Sequence, residues 1–263
     1  MDLQLQGQGA VVFGAAQGIG AAIARAFAAE QAKVALLDRD PLVHATAQAL
    51  PNTFGYVADV TDYAAMQASA EWCQERLGRV DHVVFAVGIG SGKYGFPFWN
   101  LEPSDWPRVF EVNVIGAVNV AQAFAPRLAA ARAGTLLFLA SVAGQIGSQT
   151  DPPYSASKAA LINFMQCAAR DLAAYGVRVN ALCPGMVQTA LNRSVYEAWA
   201  ALQPEGHKQT YEQWAGAKVQ RVVPLQRWQT PEDIAHMAVF LASDRAAHVT
   251  GQTINVDGGY VMH

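Results

Sequence analysis

The chain has 263 residues, of which 52% are hydrophobic and only 15% charged, so a disordered chain is excluded and a large buried core is within reach. Eighteen Lys and Arg against 21 Asp and Glu leave a net charge of −3, which provides no basic excess for a nucleic-acid backbone. The apolar stretch around 136–142 falls far short of the roughly 18 residues of a membrane helix, and the opening MDLQLQGQG has neither a basic nor an apolar region, so no span and no export signal are expected. Cys73, Cys167 and Cys183 form no CxxC pair and read as buried thiols in a reducing cytoplasm.

Short apolar runs alternate with helical spacing. Residues 10–13 form a first run that stops at glycines, and 18–30 follow with helical spacing through Ile23 and Phe27. A second run, 34–37, ends at Asp38-Arg39-Asp40-Pro41, and a third, 54–58, ends at Asp59. A helix is predicted over 62–77, with Asp62 in its first turn, where a carboxylate suits the dipole, and Gly78 past its end. Then come a fourth strand over 82–87, a long helical stretch over 104–131 with Ser104 as N-cap, and a fifth strand over 135–140. A long helix over 154–175 ends at Gly176 and leads to a sixth strand, 177–183; the seventh is 253–256. Runs without period-two alternation suit a parallel sheet covered on both faces. The β–α alternation therefore predicts an α/β fold, one doubly wound parallel sheet of seven strands with helices on both faces, in a single domain over 1–263. Residues 189–223, rich in aromatic and charged side chains, interrupt this rhythm, and an insertion of that length predicts a lid. Within it Tyr196/Trp199 and Tyr211/Trp214, each three apart, predict two short helices joined by a turn at Gln203-Pro204-Glu205-Gly206.

Two constellations carry chemistry. Gly14-Ala15-Ala16-Gln17-Gly18-Ile19-Gly20 follows a strand and opens a helix. Glycine lets backbone turn tightly and approach a pyrophosphate, which the helix N-terminus then binds. Asp38, 18 residues after Gly20, can accept hydrogen bonds from an adenosine ribose and would repel a 2′-phosphate, which favours NAD. Its neighbour Arg39 can accommodate that phosphate, so NADP stays open. The second constellation is Ser141 followed by Tyr154-Ser155-Ala156-Ser157-Lys158. Tyr154 and Lys158 are four apart and share a helix face. An ammonium beside a phenol favours phenolate, so the Tyr154 pKa is expected to fall from about 10 and make this residue an acid/base near neutral pH. His44, His82, His207, His236, His248 and His263 show no zinc-ligand spacing, and no metal site is expected.

With these residues the chain resembles the short-chain dehydrogenase/reductase family over roughly residues 5–260. The glycine turn matches TGxxxGxG with Phe13 in place of Thr, Asp59-Val60 matches the acidic pair near the adenine, and Asn113 matches the helix asparagine of the active-site tetrad. Ser141 stands 13 residues before Tyr154, and Tyr154 and Lys158 match YxxxK. Pro184-Gly185-Met186-Val187-Gln188-Thr189 matches PGxxxT beside the nicotinamide, and Asp257-Gly258-Gly259 the C-terminal DGG. Phe85-Ala86-Val87-Gly88 replaces the usual Asn-Asn-Ala-Gly. The resemblance implies a Rossmann-type sheet and NAD as cofactor, held by Gly14, Gln17, Gly18, Ile19, Gly20, Asp38, Asp59, Val60, Ala86, Gly88, Tyr154, Lys158, Pro184, Gly185, Val187 and Thr189. It implies catalysis by Asn113, Ser141, Tyr154 and Lys158: Tyr154 exchanges a proton with the substrate oxygen, Ser141 stabilises that oxygen, Lys158 lowers the Tyr154 pKa, and Asn113 holds a relay water. The reaction implied interconverts a secondary alcohol and a ketone of the polyol, diol or cyclic ketone class. Tyr94, Phe96, Phe98 and Trp99, with the four aromatics of the lid, are expected around the substrate. The helix after Tyr154, rich in small apolar residues, implies a homotetramer. Rival readings are an NADP-dependent carbonyl or acyl-carrier reductase and a non-catalytic dinucleotide sensor.

Overall fold

The computed structural model describes residues 2–147 and 150–262. Among them the seven predicted strands are β1 (Gly9–Phe13), β2 (Lys33–Asp38), β3 (Thr53–Val57), β4 (His82–Phe85), β5 (Thr135–Leu139), β6 (Arg178–Pro184) and β7 (Thr253–Val256). They form one parallel sheet in the order β3-β2-β1-β4-β5-β6-β7. The helices are α1 (Gly18–Ala29), α2 (Leu42–Gln48), α3 (Tyr63–Leu77), α4 (Pro107–Phe110), α5 (Gly116–Ala131), α6 (Pro152–Ala173), α7 (Ala190–Ala200), α8 (Tyr211–Val222) and α9 (Pro231–Ala242).

The strands are buried on both sides because successive residues serve different cores. Val11, Phe13, Leu37 and Phe85 pack with α3, α5 and α6, whereas Ala10, Val12, Leu36 and Val84 pack with α1, α2 and α9. The fold is thus the expected Rossmann-type, doubly wound α/β sheet. Asp62 caps α3, accepting from the Ala65 N–H at 3.1 Å.

Several expectations are corrected. Helix α2 escapes a periodicity argument because it is only 7 residues long. The stretch 104–131 is not one helix: a 3-10 turn (Pro103–Asp105), α4, a π segment (Glu111–Ile115) and α5 follow one another. Pro103 and Pro107 each lack an N–H and restart the helix. Ser104 lies inside that first turn, and the cap is Glu102, whose N–H donates to the Asp105 carboxylate at 2.9 Å. The same stretch, 103–131, is long and apolar enough by composition to cross a membrane, unlike 136–142, but its Val120, Phe124 and Leu128 are fully buried in the core. Cys73 and Cys183 are buried as expected, whereas Cys167 is exposed. His82 is a packed core residue bonded to Thr135 and Gln8, and His263 lies outside the described residues.

The insertion forms a helix-turn-helix, α7 and α8, with the turn between them closing on a 3-10 piece (Glu205–His207). Thr189 and Thr210 cap the two helices, accepting from Asn192 and Gln213 N–H groups at 3.2 Å each. The rings of Tyr196, Trp199, Tyr211 and Trp214 lie 5.5–6.4 Å apart in one cluster. Val219 and Val223 meet Met186 in a small core separate from the two flanking the sheet.

Candidate active site

The chain leaves β1 toward one face of the sheet and β4 toward the other, and a crevice opens where neighbouring strands diverge in this way. The glycine turn fills it. Gly14 has φ +78° and donates to the Leu37 carbonyl at 2.8 Å, and a Cβ on it would lie 2.9 Å from the Ala86 carbonyl. A Cβ on Gly20 would strike the Gly14 carbonyl oxygen at 2.1 Å. Gly18, at φ +60°, faces open space. Gln17 precedes α1 without a side-chain cap bond, which leaves first-turn N–H groups for a ligand.

Asp38 ends β2 beside this turn. Its two carboxylate oxygens accept from the Ala16 and Asp40 N–H groups at 3.0 Å each, and each oxygen keeps a second acceptor position. Burial raises the Asp59 pKa, but bonds from the Thr61 N–H and hydroxyl at 2.9 and 2.8 Å, together with the charges of Arg108 and Arg39, outweigh it and hold the carboxyl below its usual range. Gly14, Gln17, Gly18, Ile19, Gly20, Asp38, Arg39, Asp59, Val60, Ala86 and Gly88 line a cavity of about 280 Å³. An anion-binding helix end, a glycine cradle and a free-standing carboxylate face fit a nicotinamide dinucleotide. Ile19, Ala86, Gly88 and Thr189 also line a larger cavity of about 800 Å³, joined there by Ser141, Tyr154, Lys158, Pro184, Gly185 and Val187. The Pro184 turn is pressed onto the C-terminal DGG, since a Cβ on Gly185 would lie 2.8 Å from the Asp257 Cβ. Asp257 in turn accepts from the Gly259 and Val261 N–H groups at 2.9 and 2.7 Å.

Tyr154 stands in the first turn of α6, behind Pro152 and Pro153 and the cap Asp151, so its position is fixed by the helix start. Ser141 closes β5 and its Oγ accepts from the Ala143 N–H at 3.1 Å. Lys158 is 2% exposed and donates to the Leu139 carbonyl at 2.7 Å, with Nζ 5.6 Å from the centre of the Tyr154 ring. The expected drop in the Tyr154 pKa is absent in the protein alone. Burial pushes the phenol up to about 12 against a bond from Ser141, and burial lowers Lys158 to about 8. Asn113 lies behind the cavity wall, in the π segment. Its Oδ1 accepts from the Ile89 N–H, and its Nδ2 donates to the Ile89 carbonyl and to Ser157 Oγ, all at 2.9 Å. A relay water cannot take a donor from that amide, so only the carbonyl groups of Asn113 remain for it.

Some expectations about the pocket change. Trp199, Trp214 and Tyr94 line the large cavity; Tyr196 and Tyr211 of the insertion do not, and neither do Phe96, Phe98 and Trp99, which are exposed. Two residues escaped the sequence reading. Buried Asp151 lines the cavity and receives the Ser91 N–H at 2.7 Å, and burial raises its pKa. Ser157 ties α6 to Asn113 and donates to the Tyr154 carbonyl at 2.7 Å. The cap position before Pro152-Pro153 was the available signal for Asp151; Ser157 offered none.

A Rossmann-type sheet with a serine, tyrosine and lysine facing one chamber beside a glycine cradle defines the short-chain dehydrogenase/reductases, and the chain belongs to that family. A family model described as enoyl-(acyl carrier protein) reductase matches residues 14–261. The chain is 36% identical over 267 residues to the galactitol 2-dehydrogenase of Agrobacterium fabrum (strain C58 / ATCC 33970), covering 99% of this chain and 100% of that protein. It is 34% identical to the 3-oxoacyl-[acyl-carrier-protein] reductase FabG of Thermotoga maritima, covering 99% and 100%, and 33% identical to the D-threitol dehydrogenase of Mycolicibacterium smegmatis, covering 99% and 95%.

Proposed function

We propose that the chain is an NAD(H)-dependent oxidoreductase interconverting a secondary alcohol and a ketone, with Tyr154 as acid/base. The observation that carries this reading is the meeting of Ser141, Tyr154 and Lys158 on the wall of one chamber continuous with the glycine cradle. The dinucleotide, when bound, supplies the hydride chemistry. The glycine turn and the first turn of α1 bind its pyrophosphate, and Asp38 accepts its ribose hydroxyls. In ketone reduction the Tyr154 hydroxyl gives its proton to the substrate oxygen, which Ser141 steadies by a hydrogen bond; alcohol oxidation runs the same transfer in reverse. The buried ammonium of Lys158, one turn along α6, favours the phenolate left behind. Asn113 and Ser157 hold α6 against the loop after β4, so that tyrosine and lysine keep their places.

A polyol or diol substrate is supported by a wall that mixes Tyr94, Trp199 and Trp214 with Thr150, Asp151, Asn192 and Gln209, and by the names of the galactitol and threitol dehydrogenases. An NADP-dependent carbonyl or acyl-carrier reductase is the second reading, favoured by Arg39 on the smaller cavity and by the FabG relative. Turnover of a panel of alcohols and ketones with both dinucleotides separates the two. Tyr154→Phe keeps the ring and removes the proton, so it should bind NADH as wild type does and lose about 10²–10⁴-fold in kcat. A variant that keeps half of wild-type kcat would remove Tyr154 from this role.

A further inference from the structure

The large cavity is polarised. Its single lining carboxylate among the described residues, Asp151, belongs to the reacting end, where its oxygens accept from the Ser91 and Tyr154 N–H groups at 2.7 and 3.3 Å. On the α8 wall stand Lys218 and Arg221, one helical turn apart and both lining the chamber. Lys218 is half-buried, with Nζ 5.0 Å from the centre of the Trp214 ring. Among the described residues neither cation has a carboxylate partner; the ion pair of the lid is Lys208 with Glu205, at 3.0 Å in the turn. Burial, and then the Arg221 charge, hold the Lys218 ammonium below its usual range. A lysine on an ordinary solvated helix face extends into water. This one lies over an indole toward the chamber, partly dehydrated and without an anion, an arrangement that a ligand's negative charge would stabilise.

We propose that Lys218, with Arg221 beside it, is a subsite for a carboxylate at the end of the substrate remote from the carbon that reacts. The substrate is then a polyhydroxy acid or its oxo form. At the reacting end the Asp151 carboxylate and the Lys158 ammonium offset one another, whereas Lys218 and Arg221 give the α8 wall an excess of positive charge that draws the carboxylate there, so the chamber sets which way round the molecule lies. This rests on the alcohol–ketone reading above.

The test compares aldonates of four to six carbons with their neutral alditols, in wild type, Lys218→Met and Arg221→Met. Turnover is followed with NAD⁺, and binding separately by tryptophan emission, because an anion arriving at Lys218 changes the field on Trp214; Trp214→Phe is the control. We expect an aldonate to exceed its alditol in kcat/KM by about tenfold or more. Lys218→Met should lower the aldonate value by about 10–100-fold, as for a lost charge-assisted bond, and leave the alditol and the NADH affinity within about twofold. Equal losses on acid and alditol, or a weakened NADH affinity with the acid-to-alditol ratio unchanged, would overturn the subsite; the latter would assign the cations to a dinucleotide phosphate. Saturable aldonate binding that needs Lys218, in a protein that turns over no alcohol or ketone, would uphold the subsite and sink the redox reading alone. No aldonate binding in wild type would overturn the subsite whatever the turnover.

Discussion

Lys158 couples chemistry to folding. Burial takes its pKa from 10.5 to about 8, so between those values the unfolded chain holds a proton that the folded chain has released. Stability rises with pH wherever the unfolded state binds more protons. This group therefore adds nothing as pH changes below 8 and adds stability as pH climbs from about 8 toward 10.5. Wild type should gain up to about 3 kcal/mol on Lys158→Met across that interval, read from paired denaturation midpoints; a gap that stays constant would mean the lysine remains charged. Asp38 carries a second prediction at this scale. Asp38→Asn keeps an acceptor for the Ala16 N–H and removes the charge, so the kcat/KM ratio of NADPH to NADH should rise about tenfold, close to 1.4 kcal/mol. A wild-type preference for NADPH would show that Arg39 governs the choice. Tyr154, Lys158 and Asp38 were legible because local spacing alone puts them on one helix face or at one strand end. Asp151 and Ser157 were not, because their partners Ser91 and Asn113 lie 60 and 44 residues away.

Among the elements, those that sequence describes well are the ones a single local rule governs. The buried strands and α3, with Asp62 before it and Gly78 after it, lie within a few residues of their predicted ends. The stretch 104–131 misled because two prolines and Asn113 act against a periodicity that continues through them. Its π segment places the Asn113 amide where it grips both backbone groups of Ile89, a tertiary demand with no periodic signature. The insertion was legible as two helices, and its four rings cluster together while Trp199 and Trp214 alone among them line the chamber. Trp199 does both, at 6.1 Å from the Trp214 ring. Trp199→Ala should therefore change the substrate KM, or the ranking of substrates, by more than about threefold while NADH affinity moves less. Unchanged KM and ranking beside a lower Tm would make Trp199 a packing residue only.

For the whole molecule, the strand order brings the glycine turn, Asp38 and the ends of β4, β5 and β6 to one edge, as the alternation of elements foretold. The outer surface of α6 presents Ala159, Asn163, Gln166 and Cys167, exposed and uncharged, and Ile115 is 50% exposed on the π segment. We propose that such faces pair in a homotetramer with two-fold axes, and light scattering at micromolar concentration should give four times the 28.1 kDa of one chain. A mass of one chain would refute it. The α7–α8 insertion stands apart from this architecture. Helix α7 has no fully buried residue, and α8 is anchored through Val219 beside Met186 and Val223, in a cluster that neither sheet core shares. Changes confined to such a cluster add little strain to the rest of the chain. Descendants of this protein can thus trade one substrate for another by altering α7 and α8 while the hydride-transfer scaffold is inherited intact.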